Sequence, residues 1–495
     1  MRLCNTTLAN LPATVQRPAY DRAAVTPGIV HLGLGAFTRA HMAVYTDDAL
    51  AAGARDWGML GASLRSPETR DALAPQDGLY VLALRDADGE RLRVIGSITG
   101  LLAAPERPEA LIAAMAAPST RIVSLTITEK GYCHDPATGA LNEAHPDVLH
   151  DLAHPDAPRS AIGFMVAALA RRRAAGIAPF TVLSCDNLPA NGHTTRRVLT
   201  RFAHLVSPGL GKHLEAGVAC PSTMVDRIVP ATTGDDRACM AAALGVTDAW
   251  PVVTEPFSQW VIEDHFPLGR PDWGAHGAEL VRDVAPYETM KLRLLNGAHS
   301  AIAYLGGLAG FATVADAMAE PSLAAFIERL MRREVIPVLT PPPGADPQAY
   351  ASALLARFRN PALRHRTAQI AMDGSQKLPQ RLLATARERL ARGLELPCIA
   401  LAVAAWMRHV AVSADLRDPM ADELRRRAAS GQPAAALLGI EAIFGRDLPA
   451  DARFVLAVTN ALAGLGRDGA LATLRQLTEI ERTSTSRQGP GGAKR

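Results

Sequence analysis

The six cysteines, Cys4, Cys133, Cys185, Cys220, Cys239 and Cys398, are scattered, and none stands at the short spacing that zinc-binding cysteines use. No metal is expected. A disulfide framework is excluded as well, because a chain of 495 residues builds its core without staples and reduced thiols fit the cytoplasm. Charge of one sign is equally scarce: 52 Lys and Arg face 49 Asp and Glu, and the net +3 is spread along the chain. Nothing calls for nucleic acid as a partner, and an anionic substrate gains only a mild attraction. Long apolar runs are missing too. The uncharged stretch at residues 300–314 is glycine-rich and shorter than the roughly 20 residues a membrane span needs. It reads as a buried helix pair, and no membrane partner is expected. Residues 1–18 mix Arg2, Asn5 and two prolines with no sustained apolar region, which argues against secretion and for a cytoplasmic protein. There is no internal repeat.

What is present is ample core material. Hydrophobic residues make up 48% and charged residues 20%, enough to offset the chain entropy lost on folding. The length exceeds a single core and points to two domains. An apolar strand at 29–32, a glycine turn, and a helix with Phe37, Ala40, Val44 and Leu50 near helical spacing begin an alternating pattern. A second strand over 57–64 extends it to the start of a βαβ unit. Strands at 80–84 and 92–95 flank Asp88-Gly89, a hairpin dipeptide that supplies positive φ. Helix 108–116, strand 121–127, helix 161–174, strand 180–185 and a helix from Thr194 follow. After about Tyr287 the strand-like runs vanish and Ala-, Leu- and Arg-rich stretches of period near 3.6 take over. Pro341-Pro342-Pro343-Gly344 forces a loop over 340–347. The fold class expected is α/β for the N-terminal part, a mostly parallel doubly wound sheet with inserted antiparallel strands, joined to a mainly α-helical C-terminal domain. The expected boundaries are 1–286 for a dinucleotide-binding domain, 287–482 for a helical substrate and catalytic domain, and 483–495 for a polar, basic, unstructured tail.

Gly33 and Gly35, in His31-Leu32-Gly33-Leu34-Gly35-Ala36-Phe37, sit where a strand hands over to a helix. Gly33 permits a tight turn, and Gly35 lets the backbone approach a pyrophosphate at the helix N-terminus. Thr38 replaces the third glycine of that fingerprint. The cofactor-binding candidates are Gly33, Gly35, the helix residues Phe37 and Arg39, and Glu68, the acid nearest the end of the second strand. Arg65 stands close to Glu68, so NAD is expected and NADP stays open. Glu68 as a solvated helix-start carboxylate is the plainer alternative.

The helical half opens on Tyr287-Glu288-Thr289-Met290-Lys291 and continues to His299. At 100° per residue, Asn296 lies about 140° and His299 about 80° around the axis from Lys291, so an amine, an amide and an imidazole share half of one helix. Hydride transfer without zinc needs a group that takes the alcohol proton and returns it. Lysine suits this when burial and nearby cations disfavour the ammonium form. Asn296 donates to a developing oxyanion and His299 holds a neighbouring hydroxyl. The same residues on an ordinary amphipathic helix would need no chemistry. Tyr287-x-x-x-Lys291 also matches the tyrosine and lysine pair of short-chain dehydrogenases, but those chains are far shorter and place the pair inside the nucleotide domain.

Residues 29–41, 124–132 (SLTITEKGY), 184–187 (SCDN), 224–228 (MVDRI) and 291–299 (KLRLLNGAH) together resemble, in order over nearly the whole chain, the long-chain mannitol dehydrogenase family. Residues 254–264 (TEPFSQWVIED) and 373–381 (DGSQKLPQR) look like its fructuronate reductase branch. The resemblance implies an N-terminal Rossmann domain with inserted strands, a mainly helical C-terminal domain and an active site between them. By it, Lys291 is the general acid and base, Asn187 and Asn296 are oxyanion donors, and His299 orients the substrate. Asp226 and Lys377 lie against substrate hydroxyls, and Glu129 and Glu288 lie near the path of the lysine proton to solvent. Where mannitol dehydrogenases carry an arginine shortly before the Asp-Gly motif, this chain has Gln369.

A fructuronate carboxylate needs a cation, ideally the fork of an arginine. Arg381, Arg366 and Lys377 are the candidates, in no order. The reaction expected is reversible reduction of D-fructuronate to D-mannonate with NADH. The alternatives are a neutral polyol dehydrogenase acting on mannitol or arabinitol, and an NAD-binding sensor without catalysis. The partner expected is a small sugar acid or polyol, and the assembly a monomer or small homo-oligomer.

Overall fold

β1 (Pro27–Leu32) is apolar along nearly its whole length, and Ile29, Val30 and Leu32 are buried, as a strand covered on both faces requires. The computed structural model describes residues 1–135 and 138–486. The chain divides into two units, one ending at Ala285 and the other beginning at Pro286.

In the first unit β2 (Gly58–Ser63) follows β1, and β3 (Tyr80–Asp86), β4 (Gly89–Ile95), β5 (Ile98–Ala103), β6 (Ile122–Leu125) and β7 (Thr181–Ser184) come after it. A five-stranded parallel sheet has the order β5-β2-β1-β6-β7. The chain leaves β1 for β2 on one side and later adds β6 on the other, so the sheet opens a crevice at the carboxyl ends of these strands. Register fixes where: Leu32 pairs with both Ala62 and Leu125, which brings Gly33, Ser63 and Thr126 level. β3 and β4 form the antiparallel excursion expected from Asp88-Gly89, and Gly89 takes φ +136. β8 (Thr223–Asp226), β9 (Val252–Thr254), β10 (Gln259–Glu263) and β11 (Glu279–Val281) complete two three-stranded sheets, β4-β3-β9 and β11-β10-β8.

The helix expected from Phe37 to Leu50 is broken. α1 (Ala36–Ala40) ends at His41, whose φ −126 and ψ −94 are not helical, and α2 (Met42–Ala51) starts afresh. Tertiary contacts win over local periodicity here. The His41 ring stacks on Phe37 with centroids 5.0 Å apart and meets Trp260 edge-on, and its Nε2 lies 2.9 Å from the Gln259 carbonyl.

In the second unit the described residues hold no strand, only an isolated bridge between Thr313 and Arg366. Its core is built on two helices that are apolar on almost every side, Gly297–Leu308 and Pro397–Val412. The buried helix pair expected over 300–314 is one helix, which stops before Gly310 at φ +87; Thr313 then caps Val314–Ala319. The proline-rich loop is present and ends where the Asp346 carboxylate accepts the amides of Gln348 and Ala349, capping the helix Pro347–Phe358. The last helix runs Gly469–Ser486. Residues 483–486 of the expected unstructured tail are therefore helical, and 487–495 lie outside the described residues. Among the described residues no helix is long and apolar enough to cross a membrane.

One buried carboxylate ties the start of β3 to the loop before β9. Asp248 accepts from the Val81 amide at 2.6 Å, the Trp250 amide at 2.9 Å and the Gln76 side-chain amide at 2.9 Å, while burial pushes its carboxyl upward. Asp248→Ala leaves those donors unpaired, and the urea unfolding midpoint should fall by the equivalent of about 3 kcal/mol. An unchanged midpoint would show that the network does not hold the start of β3 in place.

Candidate active site

Where β1, β2 and β6 end, a cleft of about 320 Å³ is lined by Gly33, Gly35, Arg65, Glu68, Thr126 and Thr128 among others. Gly33 has φ +90, and a Cβ there would lie 2.2 Å from the Thr126 carbonyl oxygen. No side chain fits. Gly35 is the opposite case: a Cβ would meet only the Gly33 oxygen, at 3.8 Å, so its backbone faces open space that a ligand can enter. Thr38, at the third fingerprint position, is buried with its hydroxyl lacking a hydrogen-bond partner among the described residues.

Beneath the turn lies a buried imidazole. His31 Nδ1 is 2.8 Å from the Ser124 hydroxyl and its Nε2 is 2.9 Å from the Thr126 hydroxyl, which in turn donates to the Gly33 carbonyl at 2.7 Å. Burial lowers the imidazole to about 4, so the ring is neutral and acts as a strut between β1 and β6. Asp186 braces the neighbouring wall. Its carboxylate accepts from the Ile127 and Thr128 amides at 3.0 Å and from the Tyr132 hydroxyl at 2.8 Å, holding Thr128 at φ +62.

The structure sorts the expected cofactor residues. Gly33, Gly35 and Glu68 line the cleft, with Glu68 exposed at the start of the helix Glu68–Leu73 and the Arg65 side chain exposed beside it. Phe37 and Arg39 do not line it. Phe37 stacks on His41, and Arg39 is interior, its guanidinium donating to the Trp250 carbonyl and lying 5.3 Å from the Tyr80 ring centroid. Burial pushes its guanidinium down to about 10. The fold also brings together Cys133, His145 and Asp147, whose ligand atoms lie within 4.8 Å of one another. Their sequence spacing gave no sign of this. The His145 Nδ1 accepts the Asp147 amide, and burial pushes the Cys133 thiol up to about 12.

In the second unit Lys291 ends the helix Ala285–Lys291 and is buried, at 5% exposure. A π-helical turn, Leu292–Asn296, follows before the helix Gly297–Leu308. The angles expected from 100° per residue do not hold across it, because a π turn carries more residues per revolution. Gly297 makes room for a second π turn, Pro379–Leu383, since a Cβ on Gly297 would come within 2.9 Å of the Arg381 carbonyl oxygen. Arg381 thereby donates to the Ser300 hydroxyl at 3.1 Å and the Asn296 carbonyl at 3.5 Å. Asn296 Oδ1 and His299 Nε2 are buried without hydrogen-bond partners among the described residues. Burial, then the nearby His365, Arg357, Arg381 and Lys291, hold the His299 imidazole well below the usual histidine range.

The other expected residues are placed as follows. Asn187 is exposed in the turn after β7, Asp226 is the buried last residue of β8, and Glu129 is exposed on the 3-10 turn Glu129–Tyr132. Glu288 is half-buried one helical turn before Lys291. The Lys377 ammonium donates to the Met372 carbonyl at 2.5 Å and the Ile370 carbonyl at 3.4 Å. Arg366 is exposed at the start of the helix Thr367–Ile370. Sequence reasoning missed His365 and Arg357, since neither falls in a periodic pattern or a motif.

The model of the mannitol dehydrogenase Rossmann domain matches residues 27–275, and that of the mannitol dehydrogenase C-terminal domain matches residues 283–465. This chain belongs to the mannitol dehydrogenase family. Relatives include D-mannonate oxidoreductase of Escherichia coli (strain K12), 47% identical over 93% of this chain and 97% of that one. Mannitol 2-dehydrogenase of Pyrenophora tritici-repentis is 44% identical over 93% of this chain and 84% of its own length. Among solved structures, Pseudomonas fluorescens mannitol 2-dehydrogenase in a ternary complex with NAD and D-mannitol superposes with a TM-score of 0.90 at 42% identity, covering 97% of this chain and all of that one.

Gly33→Ala should therefore abolish measurable NADH binding, read by fluorescence titration, because both the positive φ and the Thr126 contact forbid the methyl group. Wild-type affinity would refute the placement. For His31 the folded value lies below the ordinary one near 6.5. Its contribution to stability is complete above about pH 6.5 and is lost as pH falls toward 4, when unfolding takes up a proton. The loss should be about 3 kcal/mol in urea titrations and absent in His31→Gln; an identical pH slope in the variant would contradict it.

Proposed function

We propose that this chain interconverts D-fructuronate and D-mannonate with NAD(H), with Lys291 moving the proton at the reacting oxygen. The class of reaction follows from the family: the chain is an NAD-dependent dehydrogenase acting on polyols or sugar acids. When bound, NAD supplies the hydride acceptor for alcohol oxidation and the donor for the reverse. Gly33 and Gly35 are the residues that would hold its pyrophosphate, because the space beside Gly35 is the one a side chain would fill, and Glu68 on the same cleft would bind its ribose.

The observation that carries the reading is the buried lysine on one helical run with two unsatisfied polar groups. Lys291 takes the alcohol proton in oxidation and returns it to the alkoxide in reduction. Asn296 donates to the developing oxyanion, with Asn187 as the second donor, and neutral His299 holds a substrate hydroxyl. Glu288, one turn from Lys291, and Glu129 carry the proton to solvent. Asp226 and Lys377 are assigned to substrate hydroxyls. A buried polar atom left unpaired costs about 1–3 kcal/mol, and a polyhydroxylated ligand removes that cost at Asn296 and His299.

The sugar-acid assignment draws on the 47% identity to D-mannonate oxidoreductase along nearly its full length. The reading of the site as one for neutral polyols has its own support in the close superposition on mannitol 2-dehydrogenase. A substrate panel separates them: kcat/KM is expected to be higher for mannonate and fructuronate than for mannitol and fructose, and the reverse order overturns the proposal. Lys291→Ala should lower kcat by about 10²–10⁴-fold while NADH binding stays close to wild type. Normal turnover in that variant would remove Lys291 from the mechanism.

A further inference from the structure

β6 and β7 end level, with Leu125 paired to Ser184, so residues 126–128 and 185–187 leave the sheet side by side. Asp186 joins them. Its Oδ2 accepts the Ile127 amide and its Oδ1 the Thr128 amide, each at 3.0 Å, and the Tyr132 hydroxyl donates to Oδ2 at 2.8 Å. Thr128 opens the 3-10 turn Glu129–Tyr132, and its carbonyl accepts the Gly131 amide at 3.0 Å. One carboxylate therefore pins both ends of the turn that carries Glu129. The next residue after Asp186 is Asn187, and the Asn191 side-chain amide donates to the Asp186 carbonyl at 3.1 Å, holding that stretch from its other side.

The clamp holds a conformation that the chain would not keep unaided. Thr128 sits at φ +62 and ψ 163, a region of backbone space that a β-branched residue occupies only when its surroundings impose it. Two adjacent amides and a hydroxyl all donate, and an ionised carboxylate answers them because it offers acceptors alone. Burial pushes the Asp186 carboxyl upward, and the three donors pull it back. Thr126, Ile127 and Thr128 also line the cleft beside Gly33, so the strained segment is part of the wall of the site assigned to NAD. A buried carboxylate and a strained threonine are costly for a turn with no duty beyond connecting two elements.

We infer that Asp186 is a positioning residue for the reaction: its carboxylate, clamped on the Ile127 and Thr128 amides and the Tyr132 hydroxyl, sets Glu129 on the proton path, and its backbone sets Asn187 as oxyanion donor. Asp186 itself touches neither substrate nor cofactor in this role. The inference rests on the roles proposed above for Glu129 and Asn187, and it deepens them by naming the group that holds both. Thr128, Tyr132 and Asp186 lie in the same two segments, 124–132 and 184–187, that carry Glu129 and Asn187. Two residues far apart in sequence are thereby placed by one side chain.

The test measures kcat and KM with NAD on whichever of D-mannonate and D-mannitol the wild type oxidises faster. Asp186→Asn sets a side-chain donor against a backbone donor, and kcat should fall by at least about 10-fold while KM for the substrate changes less. Tyr132→Phe frees only the far end of the turn and should lower kcat by a smaller factor; it carries the comparison if Asp186→Asn does not fold. Thr128→Gly supplies the decisive background, because glycine adopts positive φ without a clamp. In that background the Asp186→Asn loss should be at least about 3-fold smaller, and the Tyr132→Phe loss should shrink with it. A brace that serves stability alone would lower the thermal midpoint and leave the losses equal in both backgrounds. Asn187→Ala and Glu129→Gln are measured alongside. If these two are impaired, wild-type kcat in the folded clamp variants, or equal losses in both backgrounds, overturns the positioning role alone. Wild-type kcat in Asn187→Ala and Glu129→Gln overturns the roles proposed for them and this inference with them.

Discussion

The second unit is organised around polar groups that its own interior does not satisfy. Lys291, Asn296 and His299 lie on one helical run that enters a core of alanine, isoleucine and leucine, and two of their polar atoms have no partner among the described residues. Each such atom costs about 1–3 kcal/mol, a large fraction of the 5–15 kcal/mol by which a domain is stable. A fold keeps that strain where a ligand relieves it. The π turn between Lys291 and Gly297 belongs to the same device, since it breaks the regular ladder at the point where the functional side chains must project. Gly297 extends the device by admitting the second π turn, and with it Arg381, to close range.

The first unit treats its histidine differently. His31 is as buried as any core residue, yet both of its ring nitrogens have partners, and its role is to fix the distance between β1 and β6 beneath the glycine turn. With both nitrogens engaged the neutral ring of His31 acts as a strut, whereas the buried Nε2 of His299 has no hydrogen-bond partner among the described residues.

Some of this was legible in the residues and some was not. The strand, glycine turn and βαβ start could be read because parallel strands buried on both faces are written as apolar runs, and because a tight turn needs a residue without a side chain. The inserted hairpin announced itself through Asp88-Gly89. Lys291, Asn296 and His299 stood out by residue type, but the helical arithmetic that grouped them ignored the π turn, which no local propensity reveals. The break at His41 was invisible because its cause, the packing of His41 on Trp260 and the Gln259 carbonyl, is made by residues more than two hundred positions away. Arg39 read as a cofactor residue by proximity to the glycines; its contacts with the Trp250 carbonyl and the Tyr80 ring exist only in the packed structure. His365 and Arg357 carried no periodic or motif signal; their relation to His299 exists only in the packed structure.

The account stands on an amine that trades protons with a sugar oxygen. Chemical rescue tests it most directly: mannonate oxidation by Lys291→Ala, followed with increasing concentrations of small primary amines at several pH values. The account predicts that activity returns in proportion to the free-base amine, rising with pH at fixed total amine. A folded, NADH-binding variant whose rate is indifferent to every amine tried would contradict it.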